Sequence, residues 1–378
     1  MNYFRYICLL VGLLCPALWA GQPVRWFATE EVTYDDNIYL KDKKYGEKKD
    51  SIINSVHLGV EYQGKLPQKA TQFHAGATVG GNLYTENPSH NNYVDAAGNI
   101  GLQGEKLALE ESILYTSEPA DSSLTARTKR LNNTVSVSYQ TSHKRKISFG
   151  VSLQDLFDRY FARDMKYLNR NRVNAAAQLF YNFTPRTYAF VEYMFSDIVY
   201  QGNQENNSIS HSAALGLTKK LSGKVTGTAK ITYDARRYSH KIPHADNEPD
   251  LVGYYAEILW KPTSRDLISL SGERSMEETL YGTNRYFIDT FISVYMRHQL
   301  NAKWAGSMVV GWEDLRYTKA VTTHKRHDSL YTVRPSLEYN FKQWLIGSVW
   351  YQYRIRSSNE KWPDYVSNKI GCNLKVIF

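Results

Sequence analysis

The last ten residues, Lys369–Phe378, read KIGCNLKVIF. Ile370, Cys372, Leu374, Val376 and Phe378 take every second place, and Lys369, Gly371, Asn373 and Lys375 stand between them. A period of two sends successive side chains to opposite faces of a strand, so this segment has one apolar and one polar face. The alternation recurs upstream. Val173, Ala175, Ala177, Leu179, Tyr181 and Phe183 oppose Arg172, Asn174, Gln178 and Asn182. Val225, Gly227, Ala229, Ile231 and Tyr233 oppose Thr226, Thr228, Lys230 and Thr232. Tyr331, Val333, Leu337, Tyr339 and Phe341 oppose Thr332, Arg334, Ser336, Glu338 and Asn340. No helical period of useful length competes with it.

Short turn signals separate these segments, centred near residues 66, 104, 143, 185, 222, 263, 302 and 342, a beat of about forty residues. Each interval holds two long strands and one longer polar loop, among them Asp35–Asp50, Ser117–Arg127, Ser239–Glu248 and Lys319–His327. Eight short turns join sixteen strands. One strand before the first loop (Val24–Tyr34) and one after the last (Asp364–Phe378) bring the total to eighteen, with both ends on the short-turn side. A β-propeller repeats at a similar length but needs four short strands per blade. Two long strands per repeat suit a tilted crossing of a bilayer instead. The expected fold is all-β: a transmembrane antiparallel up-and-down barrel of 16–18 strands.

Composition agrees. The 378 residues are 13% aromatic, yet the mean hydropathy is -0.49 and the net charge +9. That average excludes a polytopic helical membrane protein, which needs several apolar runs of about 20 residues. The one apolar run lies in MNYFRYICLLVGLLCPALWA, where Arg5 precedes Tyr6–Leu14 and Pro16 is followed by Ala17 and Ala20. This pattern predicts a signal peptide over residues 1–20, cleaved after Ala20, and one barrel domain over 21–378. Cys8 and Cys15 leave with it, so the mature chain keeps only Cys372, without an internal disulfide, a Cys/His metal site or a cofactor constellation. The basic residues are scattered, which speaks against nucleic acid.

A soluble sheet with one apolar face must cover it with a second layer, and this chain offers none. In lipid that face needs no cover, but every backbone N–H and C=O must pair, which closes the sheet into a barrel. Tyr and Trp favour the bilayer interfaces. Trp260, Trp344, Tyr181, Tyr188 and Tyr339 mark a girdle beside the short turns, and Tyr34, Tyr115, Tyr200 and Tyr317 one near the loops. Lys106, Lys144, Arg145, Lys224, Arg265, Lys303 and Lys342 make the short-turn end basic. That end would face anionic headgroups or an acidic partner.

The tail with Cys372, Leu374, Val376 and terminal Phe378 resembles the assembly signal of outer-membrane barrels, whose last aromatic is read by the barrel-assembly machinery. More narrowly, TYDDNIYL (Thr33–Leu40) and YRIRSSNEKWPDYVSNKIG (Tyr353–Gly371) are similar to the opening and closing segments of the putative β-barrel porin type 2 family, and FTPR (Phe183–Arg186) and WKPTSR (Trp260–Arg265) to its turns. The resemblance implies residence in the outer membrane of a Gram-negative bacterium and links to envelope or exopolysaccharide functions.

Strand phase assigns candidate pore-lining residues. With Leu345, Val349, Tyr351, Tyr353 and Ile355 outward, Gln352, Arg354 and Arg356 face the lumen. With Ile288, Ile292, Val294 and Met296 outward, Arg285, Asp289 and Arg297 face it. Arg334 and Glu338, and Glu257 with Lys261, join them. Such residues either form a charged constriction that favours anions or pair across strands. The expected function is a porin-like channel for small or anionic solutes, or a conduit for exported polysaccharide. A non-conducting structural or adhesive barrel is the alternative, and the loop Asp35–Asp50 is the candidate to fold into the lumen. An outer-membrane hydrolase is disfavoured. His211 and Ser212 are neighbours and point to opposite faces, and His324, His327 and Asp328 read as a solvated loop.

Overall fold

The computed structural model describes residues 24–41, 48–65, 71–117, 129–141, 145–242, 246–279, 284–320, 325–360 and 364–378. The expected signal peptide lies outside the described residues. Eighteen strands follow in chain order. They are β1 (Val24–Asp35), β2 (Ser51–Lys65), β3 (Gln72–Tyr84), β4 (Tyr93–Gln103), β5 (Leu107–Thr116), β6 (Arg130–Gln140), β7 (Ile147–Tyr160), β8 (Arg170–Thr184) and β9 (Thr187–Tyr200), then β10 (Ser208–Lys220), β11 (Val225–Tyr238), β12 (Asp250–Trp260), β13 (Asp266–Glu278), β14 (Tyr286–Gln299), β15 (Trp304–Ala320), β16 (Lys325–Lys342), β17 (Leu345–Ser358) and β18 (Tyr365–Ile377). Each pairs antiparallel with its neighbours in sequence, and β1 closes the ring on β18 from Phe27↔Ile377 to Asp35↔Lys369. Closure pairs the first strand with the last, so neither terminal strand is left as a free edge.

Six of the eight expected short turns lie among the described residues and are present, down to two residues between β8 and β9 and between β16 and β17; those expected near residues 66 and 143 fall largely outside the described residues. The long connections lie at the other end and hold one helical turn, α1 (Pro88–Asn91), and 3₁₀ turns at Arg163–Leu168 and Gln204–Asn206. One loop is shorter than expected. β15 runs to Ala320 and β16 starts at Lys325, so His327 and Asp328 stand on a strand; His324 lies outside the described residues. Alternation continues through Arg326–Asp328, which carries the ladder past the polar residues that suggested a loop.

Cross-strand partners share a face, so the register propagates orientation around the wall. The outward rows are apolar, with Trp26, Leu58, Val79, Leu153, Leu215 and Ile231 all exposed. Trp260, Trp344 and Tyr181 are exposed beside short turns, and Tyr339 lies 4.4 Å from the ring of Trp304. Tyr188, Tyr200 and Tyr317 are not girdle residues. Tyr188 pairs with Asn182 on an inward row and packs on Phe180, and Tyr200 and Tyr317 are buried inside. Strand parity overrides nearness to a loop. Acids interrupt the outward rows at Glu30, 3.5 Å from Asn54, and at Glu111, which accepts from Asn133 at 3.1 Å.

Inside, bulky rings lie over glycines directly opposite on the next strand. Phe27 faces Gly59, His57 Gly80, His74 Gly101, Phe190 Gly216 and Trp350 Gly371. A Cβ on each of these glycines would fall 2.1–2.5 Å from the ring. The missing Cβ lets the ring lie flat on the wall instead of projecting into the lumen.

The upper wall departs from a simple cylinder at one place. β12 and β13 pair only from Trp260↔Ile268 up to Tyr254↔Arg274. Above that, β12 still pairs with β11 as far as Ala235↔Asp250, and β13 with β14 as far as Glu278↔Tyr286. Arg274, Met276 and Glu278 belong to the outward row of β13, yet Met276 is buried with Tyr238 and Leu251, which point inward from β11 and β12. The upper edge of β13 therefore curls inside, and its outer side packs on the inner side of β11 and β12. Gly253 permits the departure, because a Cβ there would lie 2.5 Å from the Arg274 carbonyl oxygen. Arg274 Nη1 donates to the Val252 carbonyl at 2.9 Å, which satisfies an acceptor on the parted strand.

Candidate pore lining

The register gives the inward rows. On β13–β15 they carry Glu273, Glu277, Asp289, Arg297 and Glu313. On β16–β18 they carry Arg326, Asp328, Arg334, Glu338, Arg354, Arg356, Lys369 and Lys375. Among the described side chains, four of five charged residues on the first wall are acids, and six of eight on the second are bases. Charge is thus segregated across adjoining sectors of the lumen.

Local packing decides which of the sequence-derived residues a solute could meet. Arg297 Nη2 bonds Glu338 Oε1 at 3.1 Å, bridging β14 and β16. The Arg334 guanidinium stacks 4.4 Å from the Trp350 ring, which holds it over the wall. Arg354 stands on the inward row of β17, 6.0 Å from the Tyr365 ring, and Gln352 occupies the same row opposite Lys369. Glu257 accepts from the Tyr255 hydroxyl at 3.1 Å. Asp289 sits among Glu273, Glu277 and Glu313.

Two of the expected lining residues are drawn into the wall. Arg356 Nε donates to Asp328 at 3.1 Å, and Arg326 Nη2 reaches the same carboxylate at 2.7 Å. All three are buried, with Asp328 at 0% exposure, so Arg356 is a packing group of the upper barrel. Arg285 precedes β14 and is buried as well. It donates to Asn247 Oδ1 at 2.9 Å and to the His240 carbonyl at 2.8 Å, and stacks 4.5 Å over Tyr238. It ties the β13–β14 edge to the β11–β12 loop.

The described part of Asp35–Asp50 does lean inward. Ile38 packs on Ile53 and Tyr84, and the Tyr39 hydroxyl accepts from Asn91 at 3.0 Å. His211 points outward, 2.7 Å from the Tyr193 hydroxyl, while Ser212 is buried on the inward side, so the two do not meet. Among the described residues no group of His, Cys, Asp and Glu is arranged to hold a metal ion.

Sequence phase alone missed one cluster. Glu278 meets Arg170 on β8, Arg172 Nη2 at 3.1 Å and Arg236 Nη1 at 4.0 Å, and accepts from the Tyr200 hydroxyl at 3.1 Å. Five strand steps of about 4.8 Å separate β8 from β13 along a wall, about 24 Å, which two side chains cannot span. Only the inward curl of β13 makes this contact. Arg274 and Glu278 on an otherwise lipid-facing row were the available signal, because charged residues do not belong at that depth.

Residues 28–378 match the family described as Putative beta-barrel porin 2. None of the curated proteins matches the chain. Among solved structures, OccAB4 of Acinetobacter baumannii is similar at 14% identity and a TM-score of 0.52, over 95% of this chain and 99% of that one. OpdL of Pseudomonas aeruginosa is similar at 11% identity and 0.52, over 95% and 99%. The outer membrane protein OpdK of the same species is similar at 10% identity and 0.51, over 94% and 99%. At these identities the likeness establishes the fold. Cys372, Leu374 and Val376 share the outward side of the closing strand, Phe378 just beyond it is exposed, and the closed wall around a polar interior is that of a porin-like barrel. The chain belongs to the Putative beta-barrel porin 2 family, in the outer membrane of a Gram-negative bacterium.

Proposed function

We propose that the chain is a diffusion channel for small polar solutes, with a preference for anions set by the basic rows of β16–β18. The observation that carries this reading is the charge segregation between the acidic rows of β13–β15 and the basic rows beside them. Fixed charges of opposite sign around a narrow aqueous path orient polar solutes and disfavour apolar ones, which interrupt the hydration of both walls. Arg334 and Arg354 are the residues expected to set the sign of selectivity. Arg356 contributes by holding the wall.

A conduit for exported polysaccharide is the second reading. Rings that lie on the inner wall, such as the half-buried Phe27 over Gly59, are the kind of surface on which sugar rings stack. Reconstitution in planar bilayers separates the possibilities. Ion current with a chloride-leaning reversal potential supports the first reading, and current blocked by long oligosaccharides supports the second. Absence of current from a correctly folded barrel overturns both in favour of a non-conducting scaffold.

The C-terminal row is proposed to engage the barrel-assembly machinery. Phe378→Ala is expected to lower the yield of heat-modifiable barrel in cell envelopes while leaving unassembled chain behind. Equal yields would refute this role.

A further inference from the structure

We propose that Glu278 is a tethered counter-ion which occupies an anion-binding cluster in the outer half of the lumen and thereby sets the channel's selectivity there. This inference rests on the conducting reading above and adds a second, hidden determinant to it.

The cluster is built from the barrel wall. Arg170 and Arg172 point inward from β8, Arg236 from β11, and the Tyr200 hydroxyl from β9. Arg130 of β6 and Asp158 of β7 flank it, 3.8 Å apart, and Arg170 Nε donates to Asp158 at 3.3 Å. Four guanidiniums therefore face two carboxylates, and one of the two, Glu278, arrives from another strand. Its side chain is 5% exposed. A carboxylate has two oxygens, whereas each guanidinium carries five N–H donors, so Glu278 cannot saturate the site. Arg236 shows the surplus, since its Nε and Nη1 are buried without a hydrogen-bond acceptor. A donor set of this kind suits an anion with more oxygens, such as a phosphate or a sulfate group.

The tether is as specific as the cluster. β13 leaves the wall above Tyr254↔Arg274, where Gly253 gives its backbone room. Met276 then anchors on Leu251 and Tyr238. The Tyr286 hydroxyl donates to Asp246 at 2.5 Å, and Arg285 holds Asn247, so the β11–β12 loop clamps the far side. Glu277 and Asp289 are left facing the lumen on the opposite side of the same curled edge. One element thus places an acid in the basic cluster and lines the passage with acids, which narrows the path and offsets its positive charge.

Glu278→Gln keeps the shape and removes the charge. Its expected phenotype has two parts. The chloride-over-potassium permeability ratio, read from the reversal potential in a salt gradient, rises about twofold or more. Inorganic phosphate at millimolar concentration then blocks the current, and it does not block wild type. Arg172→Gln in the Glu278→Gln background abolishes the block. A charge acting only through the general field of the lumen predicts the shift in ratio without phosphate block, and that outcome overturns the proposal, as does a variant indistinguishable from wild type. Should Glu278→Gln fail to show heat-modifiable mobility, Glu278→Asp retains the charge but shortens the reach and is expected to show partial phosphate block; its absence likewise overturns the proposal. Calorimetry of phosphate binding to the detergent-solubilised variant reads the cluster without any current. A non-conducting barrel that still binds phosphate defeats the channel reading and leaves the cluster standing, and a conducting variant without binding does the reverse.

Discussion

The lower and upper halves of this lumen solve opposite problems. Near the short turns the wall must stay thin. There Phe190 and Phe27 lie flat over Gly216 and Gly59, and the rings cover backbone instead of filling space. Near the loops the inner face is packed like a soluble core. Phe287, Leu315, Tyr317 and Leu330 form a buried apolar cluster, the Arg326–Asp328–Arg356 group lies beside it, and the curled edge of β13 brings Glu278 to the arginines of β8 and β11. The same alternation produces both. What differs is the partner across the strand: a glycine leaves the passage open, and a large or charged residue closes it. Openness here is a matter of cross-strand pairs more than of strand number.

The strongest way to break the upper half is Asp328→Ala. Two buried guanidiniums would lose their shared carboxylate, which costs about 3–5 kcal/mol. Urea unfolding of the barrel in vesicles should show that loss, and Asp328→Asn should recover part of it. A midpoint unchanged by Asp328→Ala would show that the upper half is not held by this group.

The lower half should yield to overpacking. In Gly371→Ala the new Cβ would lie 2.5 Å from the Trp350 ring, so the ring must swing inward. A cost of about 1–3 kcal/mol is expected, together with a smaller single-channel conductance. Trp350→Ala combined with Gly371→Ala should restore the conductance. A conductance that the double substitution fails to recover would refute the ring-on-glycine account.

Smaller effects test the outer wall and the selectivity rows. Glu30→Leu replaces a lipid-facing acid whose contact is Asn54 at 3.5 Å. It should stabilise the barrel by about 1 kcal/mol, because acids on the lipid face cost less than bases but still cost. A destabilised variant would mean that the Asn54 contact outweighs the cost of the lipid-facing acid. Arg334→Gln should leave stability within about 0.5 kcal/mol, as surface changes usually do, while moving the reversal potential towards cations. No movement would place anion preference elsewhere, with Glu278 and its arginines as the alternative.

Much of this was legible in the residues, for identifiable reasons. Lys369–Val376 alternates strictly, and β8, β11 and β16 do so over most of their length, because a wall between lipid and water imposes one pattern on every strand. The inward side of Gln352 and Arg354 follows from that parity alone. The departures lie where nearness to a loop and strand parity disagree, or where parity ceases to hold. Tyr200 and Tyr317 lie near loops, as girdle residues do, but their rows point inside and both are buried. Arg285 and Arg356 have the inward phase but spend their guanidiniums on neighbours distant in sequence. Glu278 has the phase of a lipid-facing residue and ends in the lumen.

The sequence by itself determined that the chain crosses a membrane with strands, that there are 16–18 of them, which end carries the short turns and which side of most strands meets lipid. Those properties are local, since a period of two and a turn signal are written within a dozen residues. Only the tertiary structure decided where the wall stops being a wall. The parting of the neighbouring strands β12 and β13 above Tyr254 and the closeness of Gly253 to Arg274 bring Glu278 to Arg172, on a strand about a hundred residues away in sequence and five positions around the barrel. No local pattern encodes such a contact, because it depends on how the whole sheet curves when it closes.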